Sequence, residues 1–181
     1  RRLRRGLQLL PFSRGNMSDK DIWPAHVIER HGLRIDLYAQ PAVNLALVHN
    51  RVPLVTEIAV TNVSDVPVSG LHLSVRLHGS DGELAPEWTR SLTEDLQPGS
   101  TRAWNDLDDV IPDLEHLKLL NESYPGAIVV SAEQRFKDDV VSRIPLQVLA
   151  HNEWFNAPIF YDSLAAFVQP NTRAVRKILE E

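Results

Sequence analysis

The chain has 181 residues, 43% of them hydrophobic, with 24 acidic and 19 basic side chains and a formal net charge of −5. It contains no cysteine, which excludes disulfides, thiolate metal ligands and cysteine nucleophiles and favours a reducing, cytoplasmic setting. No apolar run approaches the ~20 residues that cross a bilayer as a helix, so no membrane partner is expected.

Residues 1–16 hold five arginines (Arg1, Arg2, Arg4, Arg5, Arg14) and no acid, which leaves the remainder with 14 basic against 24 acidic side chains, a net −10. So acidic a body is a poor non-specific ligand for nucleic acid, whereas the basic segment suits phosphate or an anionic surface. Residues 7–12 are apolar but too short for a secretory signal, and no small-residue cleavage site comes after them. The chain starts on Arg1, and Met17 with Ser-Asp-Lys after it reads as a natural start. The residues before it then read as the remainder of an over-extended reading frame or of a larger chain. Residues 19–30 are charged and broken by Pro24. Residues 1–30 are therefore expected to be a basic segment, disordered or a short frayed helix, and a linker, with Trp23 pinned to the domain.

In residues 32–39, Leu33, Ile35 and Leu37 alternate with Arg34, Asp36 and Tyr38, which predicts a strand that Pro41 breaks. Residues 43–49 suit a strand or one helical turn. Residues 54–62 place Leu54, Thr56, Ile58 and Val60 at alternate positions, and residues 71–78 alternate Leu71, Leu73, Val75 and Leu77 with His72, Ser74, Arg76 and His78. A period of two gives each strand one dry and one wet face, so another layer must cover the dry one. Turn residues occupy 63–70 and a polar loop 79–86. A short edge strand is expected near 88–92 and another strand over 101–107, after the Gln97-Pro98-Gly99-Ser100 turn signal. Pro112, Asp113 and Glu115 open a predicted helix over 112–121, and Pro125-Gly126 ends that segment. Residues 127–133 and 140–150 then form a strand pair around a polar turn, 134–139. Two short helices are expected at 164–169 and 173–181. The last one leaves an apolar face with no assigned cover, as if the polypeptide once continued.

Roughly six or seven short strands joined mainly by turns predict an antiparallel β-sandwich of immunoglobulin or fibronectin type, with one inserted helix and a C-terminal helical tail. The organisation expected is a basic segment and linker over 1–30, the sandwich over 31–151, and an aromatic extended segment with short helices over 152–181.

Catalytic signals are sparse. No phosphate-binding loop, Gly-x-Gly-x-x-Gly or Gly-x-Ser-x-Gly motif occurs. His72 and His78 share a strand face but lie six residues, roughly 20 Å, apart, too far to share a metal. Asp106, Asp108 and Asp109 lack the tight glycine turn of a calcium loop and read as a solvated cluster. Asn62-Val-Ser64 and Asn121-Glu-Ser123 match the glycosylation pattern and read as chance matches without a secretory route. No cofactor and no catalytic residue are expected. Trp154, Phe155, Phe160, Tyr161 and Phe167 put five aromatics within fourteen residues of a chain that is 7% aromatic overall. They either pack this tail onto the sandwich or form a docking surface for a protein partner, another domain or a subunit.

The blocks Val148-Leu-Ala-His-Asn-Glu-Trp154 and Ser163-Leu-Ala-Ala-Phe-Val-Gln-Pro-Asn171, with Ala174-Val175, resemble the N-terminal β-rich region of large bacterial superfamily 1 helicase-like proteins, many with a C-terminal nuclease-like domain. Residues 44–68 and Leu96-Gln-Pro-Gly-Ser100 add to the likeness, which runs from about Gly32 onward. Phe155-Asn156-Ala157-Pro158 departs from the family's glycine-rich linker, and Tyr161-Asp162 from its Leu-Pro. Neither the ATPase nor the nuclease motifs are present, so neither activity carries over. The resemblance implies a non-catalytic accessory domain that docks a motor or a partner. The alternatives are a free-standing module for a protein or carbohydrate ligand outside the cell, or an enzyme with an unrecognised site.

Overall fold

The first paired element is a hairpin that begins inside the expected linker. The computed structural model describes residues 25–80, 82–135 and 138–153. Strand β1 (Ala25–Arg30) pairs antiparallel with β2 (Leu33–Ala39), with Ile28 opposite Ile35 and Arg30 opposite Leu33. The two linking residues both have positive φ, 51° at His31 and 80° at Gly32, the left-handed pair that a type I′ hairpin requires. The end of the predicted linker is thus a strand. The reason is local: a tight turn lets Ile28 lie against the next strand while Val27 stays 54% exposed.

At Gln40 and Pro41 the chain leaves the first sheet and forms β3 (Ala42–Val43), then the one-turn helix α1 (Leu45–His49). Asn44 caps α1 by accepting from the Leu47 N–H. Its end closes with Arg51 N–H donating to Val48 O and Val52 N–H to Leu47 O, around Arg51 at φ 52°. β4 (Val55–Asn62) returns against β2. The remaining elements are β5 (His72–His78), β6 (Trp88–Ser91), β7 (Thr101–Trp104), α2 (Leu114–Leu119), β8 (Tyr124–Glu133) and β9 (Val140–Val148).

The strands form two sheets, ordered β1-β2-β4-β7 and β3-β9-β8-β5-β6. All pairings are antiparallel except β3 with β9. The chain is mainly β, a two-sheet sandwich with two short helices. The polypeptide passes back and forth between the sheets in the immunoglobulin manner, with a short parallel partner beside the last strand. Between the sheets, Leu33, Ile35, Leu37, Ile58, Val60, Leu73, Val75, Leu77 and Ile128 are each 0% exposed. Each such side chain contributes roughly 1.5–3 kcal/mol of burial.

Three sequence expectations need correction. Thr56 does not continue the dry stripe of β4: Tyr38 pairs with Glu57 and Ala39 with Val55, so Thr56 is an extra residue at a bulge. The bulge shifts the parity, and Val55 at 1% exposure takes the inward place. Pro125-Gly126 does not end a segment but lies inside β8. Pro125 is tolerated because β5 pairs only as far as Ala127, so its missing N–H faces no neighbouring strand. At Gly126 a Cβ would lie 2.7 Å from the carbonyl oxygen of His78. The helix predicted over 112–121 is confined to α2, capped by Asp113 and anchored by Leu117. The basic segment and most of the linker (residues 1–24) and the C-terminal helices lie outside the described residues.

Candidate functional site

Among the described residues, β9, the last strand in chain order, is paired along only part of one side. β9 pairs with β8 along its whole length, whereas β3 reaches only Gln147 and Val148. Gln147 N–H donates to Pro41 O and Leu149 N–H to Val43 O, both at 2.9 Å. Odd-numbered residues of β9 therefore turn their backbone groups toward the β3 side, and even-numbered ones toward β8. Val141, Arg143 and Pro145 continue that odd row below β3. No strand pairs with them among the described residues. Pro145 has no N–H to offer, and it stands on the open side, where no ladder bond is lost. Inward-facing Val140 and Ile144 are nevertheless 1% and 4% exposed, and β1 comes close to β9 across the seam between the sheets.

The outer face of this sheet is ordered in cross-strand rows. Thr89, Ser74, Ser131 and Val141 form one row. Arg76, Val129 and Arg143 form the next, and His78, Ala127 and Pro145 the third. Ser74, Ser131, Ala127 and Val129 in the centre are buried, whereas Val141 at the open edge is 49% exposed. Ser131 Oγ has no hydrogen-bond partner among the described residues. Arg76 lies 3.6 Å from Glu87, and Arg143 is exposed.

The opposite side of the sandwich is closed by side chains. Trp88 on β6 meets Trp104 on β7 edge-on, with centroids 6.3 Å apart, and Arg90 lies 5.0 Å from the Trp88 ring while pairing with Asp106. Asp106 thus serves an ion pair. The histidines are dispersed. His72 Nδ1 is 2.8 Å from Ser91 Oγ, His116 Nε2 is 3.0 Å from Tyr124 OH, and His151 Nδ1 donates to Leu120 O. Among the described residues no three His, Asp or Glu side chains are placed to hold a metal. His26, inward on β1, is half-buried, and burial lowers its imidazole pKa from the usual 6.5. The Asp36 hydrogen bond and charge raise that of Arg34.

Asn62, which heads one of the two glycosylation matches, has no room for a glycan. It is 0% exposed, and its side chain donates to Val66 O and Leu96 O while accepting from Ser64. Trp154, Phe155, Phe160, Tyr161 and Phe167, the expected partner-binding aromatics, all lie outside the described residues. The open row of β9 is not among the sites expected from the sequence. One signal points to it: a proline inside an otherwise β-rich run belongs at a sheet edge.

No family model matches the chain, and no curated protein does. Among the solved structures that are similar, two illustrate the likeness. One is the periplasmic chaperone SfaE, at 16% identity and a TM-score of 0.34, over 56% of this chain and 50% of that one. The other is the CsuC–CsuE chaperone–tip adhesion subunit pre-assembly complex from archaic chaperone-usher Csu pili of Acinetobacter baumannii, at 10% identity and a TM-score of 0.30, over 64% and 58%. The chain spans about half the length of the first. Neither likeness assigns a fold or a partner to this chain; its own strand order supplies the fold. Among the described residues no helix is long and apolar enough to cross a membrane.

Proposed function

We propose that this chain is a non-catalytic protein-docking module, an accessory β-sandwich of a bacterial helicase-like protein. The observation that carries the docking reading is the row of backbone groups along β9 that no strand covers among the described residues. Such a row is a ready template for another extended chain. The helicase association rests on the Asn-Glu-Trp and Ala-Ala-Phe-Val-x-Pro-Asn blocks, and the aromatics that accompany them serve as a second contact.

The test is calorimetric titration of the chain with the purified motor portion of a helicase-like protein that carries the same two blocks. Saturable one-to-one binding is expected, weakened in Trp154→Ala and Phe167→Ala. Binding unchanged in both variants removes the aromatic contact, and no binding at all removes the helicase association.

A further inference from the structure

We infer that the open edge of β9 takes an extended peptide strand with an acidic residue opposite Arg143 and a basic one opposite Asp139. The inference deepens the docking reading by naming the surface and the chemistry of what it accepts.

The backbone sets the length. Below β3 the row offers N–H and C=O of Val141 and of Arg143, then the C=O of Pro145 alone, because proline donates nothing. An added strand can therefore form ladder bonds only over a short stretch, from about Asp139 to Pro145. Pro145 and the two residues of β3 stop it from sliding further along β9.

Charge sets the sequence. Exposed Arg143 has no acidic partner among the described residues, and its neighbours in the row are Val129 and Arg76. A residue added opposite Arg143 would have its Cβ about 5 Å away, close enough for an opposite charge to stabilise the pair and a like charge to oppose it. At the other end, Asp138 and Asp139 lead directly into β9, and both are exposed. Arg143 and Asp139 are four residues, roughly 13 Å, apart along an extended chain. The partner thus carries opposite charges at the same spacing, acid toward Pro145 and base toward the loop. Between the charges, alternate positions face Ser142 and Val140 and call for β-branched apolar residues. An antiparallel strand meeting these conditions reads Glu-Val-Thr-Val-Lys.

The probes are the blocked peptides Glu-Val-Thr-Val-Lys and its reversal Lys-Val-Thr-Val-Glu, added at millimolar concentration to the isotope-labelled full chain. Amide exchange in the free chain comes first: Val141 and Arg143 should exchange freely, and Ser142 and Ile144 slowly. The first peptide should then protect Val141 and Arg143 and shift their resonances, and do so more strongly than its reversal. Arg143→Glu should weaken the first peptide at least about threefold, as expected of one cross-strand charge pair. Replacing the peptide's Glu by Lys should restore binding to that variant. Protection of Val141 and Arg143 in the free chain overturns the inference, as do peptide shifts elsewhere or an Arg143→Glu variant that binds unchanged. Any of these alongside intact binding to the motor portion leaves the docking module standing without this edge.

Discussion

Removing the amide of Asn62 tests whether one buried polar side chain holds two loops of the sandwich together. Its Nδ2 donates to Val66 O and to Leu96 O, each at 2.8 Å, and its Oδ1 accepts from Ser64 N–H at 2.9 Å and Ser64 Oγ at 2.7 Å. In Asn62→Ala all four bonds are lost. Leu96 O keeps the Val68 N–H, and the single Ser64 hydroxyl proton, released from Oδ1, can turn to Val66 O, so neither carbonyl is orphaned. At about 1 kcal/mol net per bond, discounted for those surviving partners, the cost is about 3 kcal/mol. That corresponds to a fall in Tm of roughly 6–12 °C. Asn62→Asp keeps the acceptor and turns a carboxylate toward two carbonyl oxygens. Burial and those dipoles raise its folded-state pKa above the unfolded ~3.9, so the deficit against wild type shrinks as pH falls through the raised value. Urea denaturation followed by far-UV circular dichroism measures both variants. The exposed counterpart Asn121→Ala should move stability by less than about 0.5 kcal/mol. A cost below about 1 kcal/mol for Asn62→Ala would refute the account of the loop junction.

Three further outcomes are expected. Because burial lowers the folded-state pKa of His26 from 6.5, the unfolded chain binds more protons just below that pH, and stability should fall as pH drops through 6.5 toward the folded value. Urea midpoints above and below pH 6.5 should diverge less in His26→Leu; equal divergence in both proteins would sink the assignment. Trp88→Ala removes a ring that is 6% exposed and should cost about 3–5 kcal/mol by chemical denaturation, clearly more than Trp104→Ala, whose ring is only partly buried. Gly126→Ala would place a Cβ 2.7 Å from His78 O and should cost about 1–3 kcal/mol, read by thermal melting; an unchanged Tm would show that the end of β5 yields freely.

The two-sheet sandwich is legible in the sequence because alternation survives wherever a strand has one dry face. Leu71, Leu73, Val75 and Leu77 point inward by their spacing and are all 0–1% exposed. The Gln97-Pro98-Gly99-Ser100 turn is equally readable: Gly99 has φ 71° and Ser100 N–H donates to Gln97 O. β1 escapes such a reading because its six residues carry one buried apolar side chain and come directly after a proline, which imitates a linker. The bulge at Thr56 is invisible in the sequence because it depends on the partner strand: β2 changes register between Tyr38 and Ala39.

By itself, the order of apolar and polar residues determined that short strands would bury one face each, and that turns would join most of them, since those properties belong to near neighbours in the chain. Tertiary pairing alone decided that β9, flanked by β3 and β8 in its sheet, keeps a stretch that no strand pairs with among the described residues. β3 runs beside β9's last residues for only two positions because the chain crosses between sheets at Gln40 and Pro41. Hydrogen-bonding partners that far apart in sequence leave no local periodicity, so the row from Val141 to Pro145, unpaired among the described residues, takes shape only once the sandwich has closed.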